Sequence, residues 1–73
     1  MIKVEIKDEY IKLEQAMKLS GASSTGAEAK YAIKEGRVKV NDQVELQRGK
    51  KLRNGDIFTF NHHDYKIIGI EKL

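Results

Sequence analysis

The sequence predicts an α+β domain in which two short helices pack on a small, mostly antiparallel sheet, with added strands at both ends of the chain. Three observations support this fold class. Apolar and polar residues alternate at the start of the chain, a helical period follows, and alternation returns through the second half. Because a chain of 73 residues is long enough for only one domain, we expect a single domain spanning residues 1–73.

The first strand and the first helix are predicted within the opening third of the chain. Apolar and charged residues alternate over residues 2–6, as in a half-buried strand, until Asp8 and Glu9 interrupt the pattern. From Lys12 the apolar positions follow a helical period, and Gly21 supplies the stop. The predicted first helix is therefore short, about nine residues.

A second helix is predicted after the polar segment 22–26. Thr25 and Glu28 have the spacing of a capping box at its start, and Gly36 ends it. Its apolar face consists of Ala29, Ala32 and Ile33.

The second half of the chain is predicted to form strands. Val38 and Val40 begin a hairpin that turns at Asn41–Asp42, residue types that accept left-handed conformations, and returns through residues 44–46. A connection without regular structure is expected from Gln47 to Asp56.

Two further strands complete the predicted sheet. Residues 57–60 form one strand, residues 61–64 turn, and residues 65–70 form the last strand. The last strand is apolar enough to pair with the N-terminal one. We expect Phe58 and Phe60 to belong to the core.

Composition excludes several classes of protein. The chain has no cysteine, so a disulfide framework or a thiolate metal site is excluded, which suits a reducing cytoplasm. No apolar stretch approaches the roughly 20 residues that span a bilayer, and the N-terminus alternates where a signal peptide is apolar. We expect a cytoplasmic protein with no membrane partner.

The positive charge is concentrated in the middle of the chain. The net charge is +3, and residues 26–56 account for it with eight Lys or Arg against five acids. Arg48, Lys50, Lys51 and Arg53 crowd together without an acid among them, and a polyanion would relieve their repulsion. Charge alone leaves open a second interpretation, a solvated loop that keeps the protein soluble.

A helix flank extends this basic segment. Lys30, Lys34 and Arg37 follow a spacing that places them along one side of the second helix. Tyr31 lies next to that flank and could stack a splayed base, although a helical tyrosine more often packs its ring.

The order and spacing of these segments resemble the S4 RNA-binding domain over about residues 11–60. That family has Arg-Leu-Asp before a first helix, Ser-Arg-x-x-Ala at the second, Gly-x-Val-x-Val-Asn-Gly in a hairpin and Gly-Asp before a strand. The corresponding segments here are Lys12-Leu13-Glu14, Thr25-Gly26-Ala27-Glu28-Ala29, Gly36-Arg37-Val38-Lys39-Val40-Asn41 and Gly55-Asp56.

The chain is more similar to the stand-alone small S4 proteins of bacteria (the YaaA/YbcJ-like group) than to the S4 enzymes. That group has a Ser-Thr-Gly before the second helix, as at residues 24–26, and an Arg-Gly-Lys-Lys-Leu-Arg-x-Gly-Asp run, as at residues 48–56. Two positions differ from the wider family: Gly26 replaces the usual arginine, and Asp42 replaces the glycine of the hairpin turn.

The resemblance implies a non-catalytic protein that binds structured RNA, for example ribosomal RNA, mainly through phosphate contacts. Some members of the group are encoded near replication genes, so a role on duplex DNA stays open. The RNA-binding residues expected on this basis are Lys12, Lys30, Lys34, Arg37, Lys39, Arg48, Lys50, Lys51 and Arg53.

Other functions have weaker support in the residues. His62-His63-Asp64 is the only cluster suited to metal or acid–base chemistry, and a polar hairpin turn explains it more simply, so we expect neither catalysis nor a cofactor. A protein-interaction module remains the alternative from another class. It would dock through a sheet edge or through the acidic patch of Glu5, Asp8 and Glu9.

Overall fold

The computed structural model describes residues 1–70, within which the chain forms two helices and seven strands. The predicted end of the domain, with Glu71 and Lys72, lies outside the described residues. In chain order the elements are β1 (Ile2–Glu5), β2 (Tyr10–Lys12), α1 (Leu13–Leu19), α2 (Gly26–Lys34), β3 (Lys39–Val40), β4 (Gln43–Val44), β5 (Lys51–Arg53), β6 (Ile57–Phe60) and β7 (His63–Ile68).

The larger sheet has five strands in the order β1-β7-β6-β3-β4. Its neighbours are antiparallel except for β1 and β7, which run parallel with Ile2 opposite Tyr65. The predicted fold class and the predicted pairing of the two terminal strands are therefore confirmed. The last strand ends at Ile68 rather than at Ile70, because the Gly69 N–H donates to the side chain of Asn54 instead of extending the sheet (3.0 Å).

The first hairpin turns at Asn41–Asp42 as predicted, although its returning strand is Gln43–Val44 rather than residues 44–46, and the second turn is tighter than the sequence indicated. Asn41 and Asp42 have φ values of 49° and 69°, and Asn61 and His62 have values of 52° and 67°. Two consecutive left-handed residues form the two-residue turn that matches the twist of paired strands. His63 is therefore already part of β7, and the turn predicted over residues 61–64 is two residues shorter.

A second sheet corrects the prediction of an irregular connection over residues 47–56. β5 lies within that segment and pairs antiparallel with β2, which was also not predicted. The pairing brings Leu52, fully buried, opposite Ile11. Each of these strands is three residues long and has one inward-facing apolar residue, so neither shows a periodic pattern of its own.

The two helices follow the predicted boundaries closely. α1 has seven residues rather than about nine, and Gly21 and Gly36 follow the helices with positive φ angles of 81° and 76°. At the start of α2, the Glu28 N–H donates to the Thr25 hydroxyl (3.1 Å), as a capping box requires. The Glu28 carboxylate accepts from Ser24 instead of the Thr25 backbone (3.2 Å). Within residues 1–70, neither helix is long and apolar enough to cross a membrane.

The core lies between the helices and the five-stranded sheet. Phe58 is fully buried and stacks on Tyr65 with ring centroids 4.7 Å apart, and Phe60 is buried beside them, as predicted. The buried apolar residues are Val4, Leu13, Ala16, Met17, Ala29, Ala32, Ile33, Val38, Val40, Leu52, Phe58, Phe60, Tyr65 and Ile67.

Asp56 joins three parts of the chain. Its carboxylate accepts from the Arg53 N–H (2.7 Å) and from the Asn41 amide (3.1 Å), while the Asn41 side-chain oxygen accepts from the Ile57 N–H (3.0 Å). The Gly-Asp before β6 therefore fixes the end of β5 against the first hairpin turn.

Replacing Asp56 with alanine should lower the free energy of unfolding by about 1–2 kcal/mol, because two hydrogen bonds to a charged acceptor are lost. Urea denaturation measures this difference. Asp8→Ala is the matched control, since Asp8 is an exposed acid in a bend and should change stability by less than about 0.5 kcal/mol. Equal effects of the two substitutions would contradict this role of Asp56.

Candidate nucleic-acid interface

All nine predicted cations are exposed. The structure divides most of them among three places, which we name by their position. The helix groove is bordered by Lys18, Lys30 and Arg48. The ribbon face is the outer side of the β2–β5 sheet, formed by Tyr10, Lys12, Lys51 and Arg53. The hairpin end is formed by Arg37, Lys39 and His62.

The helix groove is a shallow cleft of about 360 Å³ between α1 and the start of α2. The backbone positions Arg48 there, because its carbonyl accepts from the Glu14 N–H (3.1 Å). The Arg48 guanidinium also lies 3.9 Å from the Glu14 carboxylate. Lys18 was not predicted as a site residue, because it belongs to the part of the chain in which charges balance. Lys18 joins the other two cations only because α1 packs beside α2 and the loop at residue 48.

Gly26 and Ala27 form the end of the groove at the N-terminus of α2. A Cβ atom on Gly26 would meet no heavy atom within 4 Å. The space that the family's usual arginine would occupy is therefore open. Unpaired backbone N–H groups and the helix dipole favour an anion at such an end. The groove therefore combines three side-chain cations with an open helix start.

The ribbon face has cations around one aromatic ring. Ile11 and Leu52 turn inward, so alternation places their neighbours on the opposite, outer face. The Lys51 Nζ lies 4.8 Å from the Tyr10 ring centroid, and the central guanidinium carbon of Arg53 lies 5.5 Å from it. Tyr10, like Lys18, was not predicted as a site residue, because its cationic neighbours are distant in the sequence.

The helix groove and the ribbon face adjoin each other at the start of α1. The Leu13 N–H donates to the Lys50 carbonyl (2.8 Å), which holds the chain before β5 against the helix. Gln15 lines both the helix groove and a hollow of about 490 Å³ beside Tyr10 and Lys12. These cations therefore belong to one basic surface: Lys12, Lys18, Lys30, Arg48, Lys50, Lys51 and Arg53.

The hairpin end lies elsewhere. Lys39 pairs in register with Thr59, whereas its neighbour Val40 is buried opposite Phe58, so Lys39 belongs to the sheet face that turns away from the core. The Arg37 guanidinium lies over the Phe60 ring, 5.5 Å from its centroid. Lys39 therefore lies on the face of the sheet opposite to the core. Lys34 is exposed in the last turn of α2.

Two other sequence candidates have defined surroundings. Tyr31 is 64% exposed, so its ring does not pack into the core as a helical tyrosine more often does. In the His62-His63-Asp64 cluster, His63 contacts the Tyr65 ring edge-on and Asp64 accepts from the Thr59 hydroxyl (2.8 Å). Among residues 1–70, no group of three His, Cys, Asp or Glu side chains is placed to hold a metal ion.

Comparison with known proteins identifies the family to which this fold belongs. The family model described as the S4 domain matches residues 4–68. The chain belongs to the S4 domain family. The resemblance inferred from the sequence is therefore confirmed, and the match extends beyond the core segment 11–60 to the second half of β1 and through β7.

Two curated relatives of this S4 protein have names that describe a function. YbcJ of Escherichia coli strain K12, a candidate RNA-binding protein, is 37% identical over 62 residues, which cover 85% of this chain and 89% of YbcJ. RlbA of Bacillus subtilis strain 168, named a probable ribosome maturation protein, is 39% identical over 54 residues, covering 74% of this chain and 76% of RlbA.

The solution structure of YbcJ from E. coli has the same fold. It superposes with a TM-score of 0.72 at 35% identity, covering 93% of this chain and 87% of YbcJ, and is described as revealing an ALFAL motif involved in RNA binding. The arrangement of two helices on a mostly antiparallel sheet is thus shared with a solved S4 relative.

Proposed function

We propose that this S4 domain protein binds structured RNA without catalysing a reaction, and that the helix groove and the ribbon face together contact the phosphates. The observation that carries the proposal is that seven exposed cations lie on adjoining surfaces, the ribbon face before α1 and the helix groove between α1 and α2. Membership of the S4 family and the names of YbcJ and RlbA support RNA as the polyanion.

The geometry suits an A-form backbone. Side chains cannot easily read the deep major groove of RNA, so recognition relies on phosphates, 2′-hydroxyls and shape. Arg48 and Arg53 supply oriented, paired donors, and the lysines act as point charges that release counterions. The backbone at Arg48 is held by the hydrogen bond from the Glu14 N–H, and the backbone at Arg53 is held by β-pairing with Tyr10.

We assign the remaining predicted residues a secondary role. Arg37 and Lys39 belong to the hairpin end, and Lys34 is not among the residues that line the helix groove. The name of RlbA refers to ribosome maturation, and we propose on that basis that the target is ribosomal RNA, bound in the cytoplasm. Duplex DNA remains the competing ligand that an experiment has to separate.

Salt titration of binding tests the proposal. Affinities for a labelled ribosomal RNA hairpin and for a DNA duplex of equal length are measured between about 50 and 200 mM salt. If about five phosphates are neutralised, the logarithm of the affinity should fall with the logarithm of the salt concentration at a slope of about −4 to −5.

The outcomes separate the three candidate functions. Tighter binding of the hairpin supports the RNA function. Tighter binding of the duplex would support the duplex-DNA function, and equal affinity for both nucleic acids would reduce the function to general polyanion binding. Binding of neither would favour a protein-interaction module, for which the hollow of about 500 Å³ lined by Glu5, Ile6, Asp8 and Leu19 is the candidate surface.

A further inference from the structure

We infer that Tyr10 forms a stacking site for an unpaired nucleobase at the edge of the bound RNA. The inference rests on the proposed function and deepens it, because it names the kind of RNA that fits: a helix followed by a single-stranded extension. Its starting point is the ribbon face, where one partly exposed ring lies among three cations, Lys12, Lys51 and Arg53.

Tyr10 is available to a ligand and held in place. The residue is 38% exposed, and its backbone lies in β2, in register with Arg53 of β5. By contrast, Tyr65 is 6% exposed and stacks on Phe58, as a tyrosine with a purely packing role does. A ring fixed on paired strands loses little conformational freedom when a base stacks on it.

The cations around Tyr10 fit a nucleotide better than they fit a packing role. Lys51 and Arg53 both lie within 5.5 Å of the ring centroid. Contacts of this type at an exposed site are weak, so the two side chains can turn toward phosphates that flank a stacked base. Positive charge along the backbone with an aromatic platform for the base is the general arrangement of single-strand binding sites.

The space next to the Tyr10 ring is large enough for a nucleobase. The hollow of about 490 Å³ is lined by Tyr10, Lys12, Gln15 and the two acids Asp8 and Glu9, and it adjoins the helix groove through Gln15. A strand that leaves a helix bound in the groove can therefore continue onto the ribbon face. Tyr31 is more exposed, at 64%, yet within residues 1–70 the cation–ring contacts fall on Tyr10 and Phe60 and not on Tyr31.

The test compares two RNAs: a blunt hairpin, and the same hairpin with a 3′ extension of about five nucleotides, long enough for a single-strand site. The extension carries 2-aminopurine, whose fluorescence is quenched on stacking. The protein variants are Tyr10→Ala, Tyr10→Phe and Tyr31→Ala, each checked for folding by its urea denaturation curve.

We expect the extension to raise the affinity of the wild type by about 5-fold or more. Tyr10→Ala should abolish this gain, measured in each variant as the ratio of its affinities for the extended and the blunt hairpin, and should abolish the quenching. Tyr10→Phe should keep both, because the ring remains, and Tyr31→Ala should also keep both.

Two results would overturn the site. One is retention of the extension effect in Tyr10→Ala, whether or not Tyr31→Ala loses it. The other is an extension that gives the wild type no gain while the blunt hairpin still binds. Failure of the blunt hairpin itself to bind would instead count against the proposed function, so the two failures are distinguishable.

Discussion

Reversing the charges of Lys30 and Arg48 to glutamate should lower the affinity for structured RNA by about 100-fold at about 50 mM salt. The two side chains border the same groove from different elements, α2 and the loop before β5. Losing two phosphate contacts should also make the salt slope less steep by about two. Fluorescence anisotropy with the ribosomal RNA hairpin measures both quantities.

The matched control changes the net charge equally at another place. Lys3 and Lys7, on and just after β1, lie outside all three cationic groups, so their double reversal to glutamate should reduce affinity by less than about 10-fold. Glu14→Gln should have the opposite sign and raise affinity, because it removes the acid 3.9 Å from Arg48. Equal losses in the two double reversals would mean that only net charge matters and would contradict the groove.

Replacing Phe58 with alanine should lower the free energy of unfolding by about 3–5 kcal/mol. Phe58 is fully buried at the centre of the five-stranded sheet, and its loss would leave a cavity and remove the stacking on Tyr65. Small domains have total stabilities near the low end of about 5–15 kcal/mol, so the variant should be partly unfolded at 37 °C. Urea denaturation followed by circular dichroism measures the change.

Two further substitutions serve as controls for the effect of Phe58→Ala. Phe58→Leu retains most of the apolar volume and should cost clearly less than alanine. Val44→Ala removes an exposed apolar side chain on β4 and should change stability by less than about 0.5 kcal/mol. A loss below about 1 kcal/mol in Phe58→Ala would show that the core does not depend on this residue.

Local sequence patterns account for most of the fold. The alternation at β1, the capping residues Thr25 and Glu28, and the stops at Gly21 and Gly36 each act within a few residues, so their effects are readable from the chain. The turn at Asn41 and Asp42 is equally local, because the left-handed conformation is a property of those residue types.

The β2–β5 sheet could not be predicted in the same way. Its strands have three residues each, and the burial of Ile11 and Leu52 depends on a partner far along the chain. Because strands this short show no pattern of their own, an irregular connection was predicted over residues 47–56. The same pairing is the reason that Tyr10 and Arg53 are neighbours.

By itself, then, the sequence determined the fold class, the S4 family and the concentration of charge between residues 26 and 56. Only the tertiary structure decided which cations share a surface. It added Lys18 and Tyr10 to that surface and placed Lys39 on another face, because β-pairing and helix packing fix the direction of a side chain. Charge is a property of residues, whereas a binding surface depends on which residues the fold brings together.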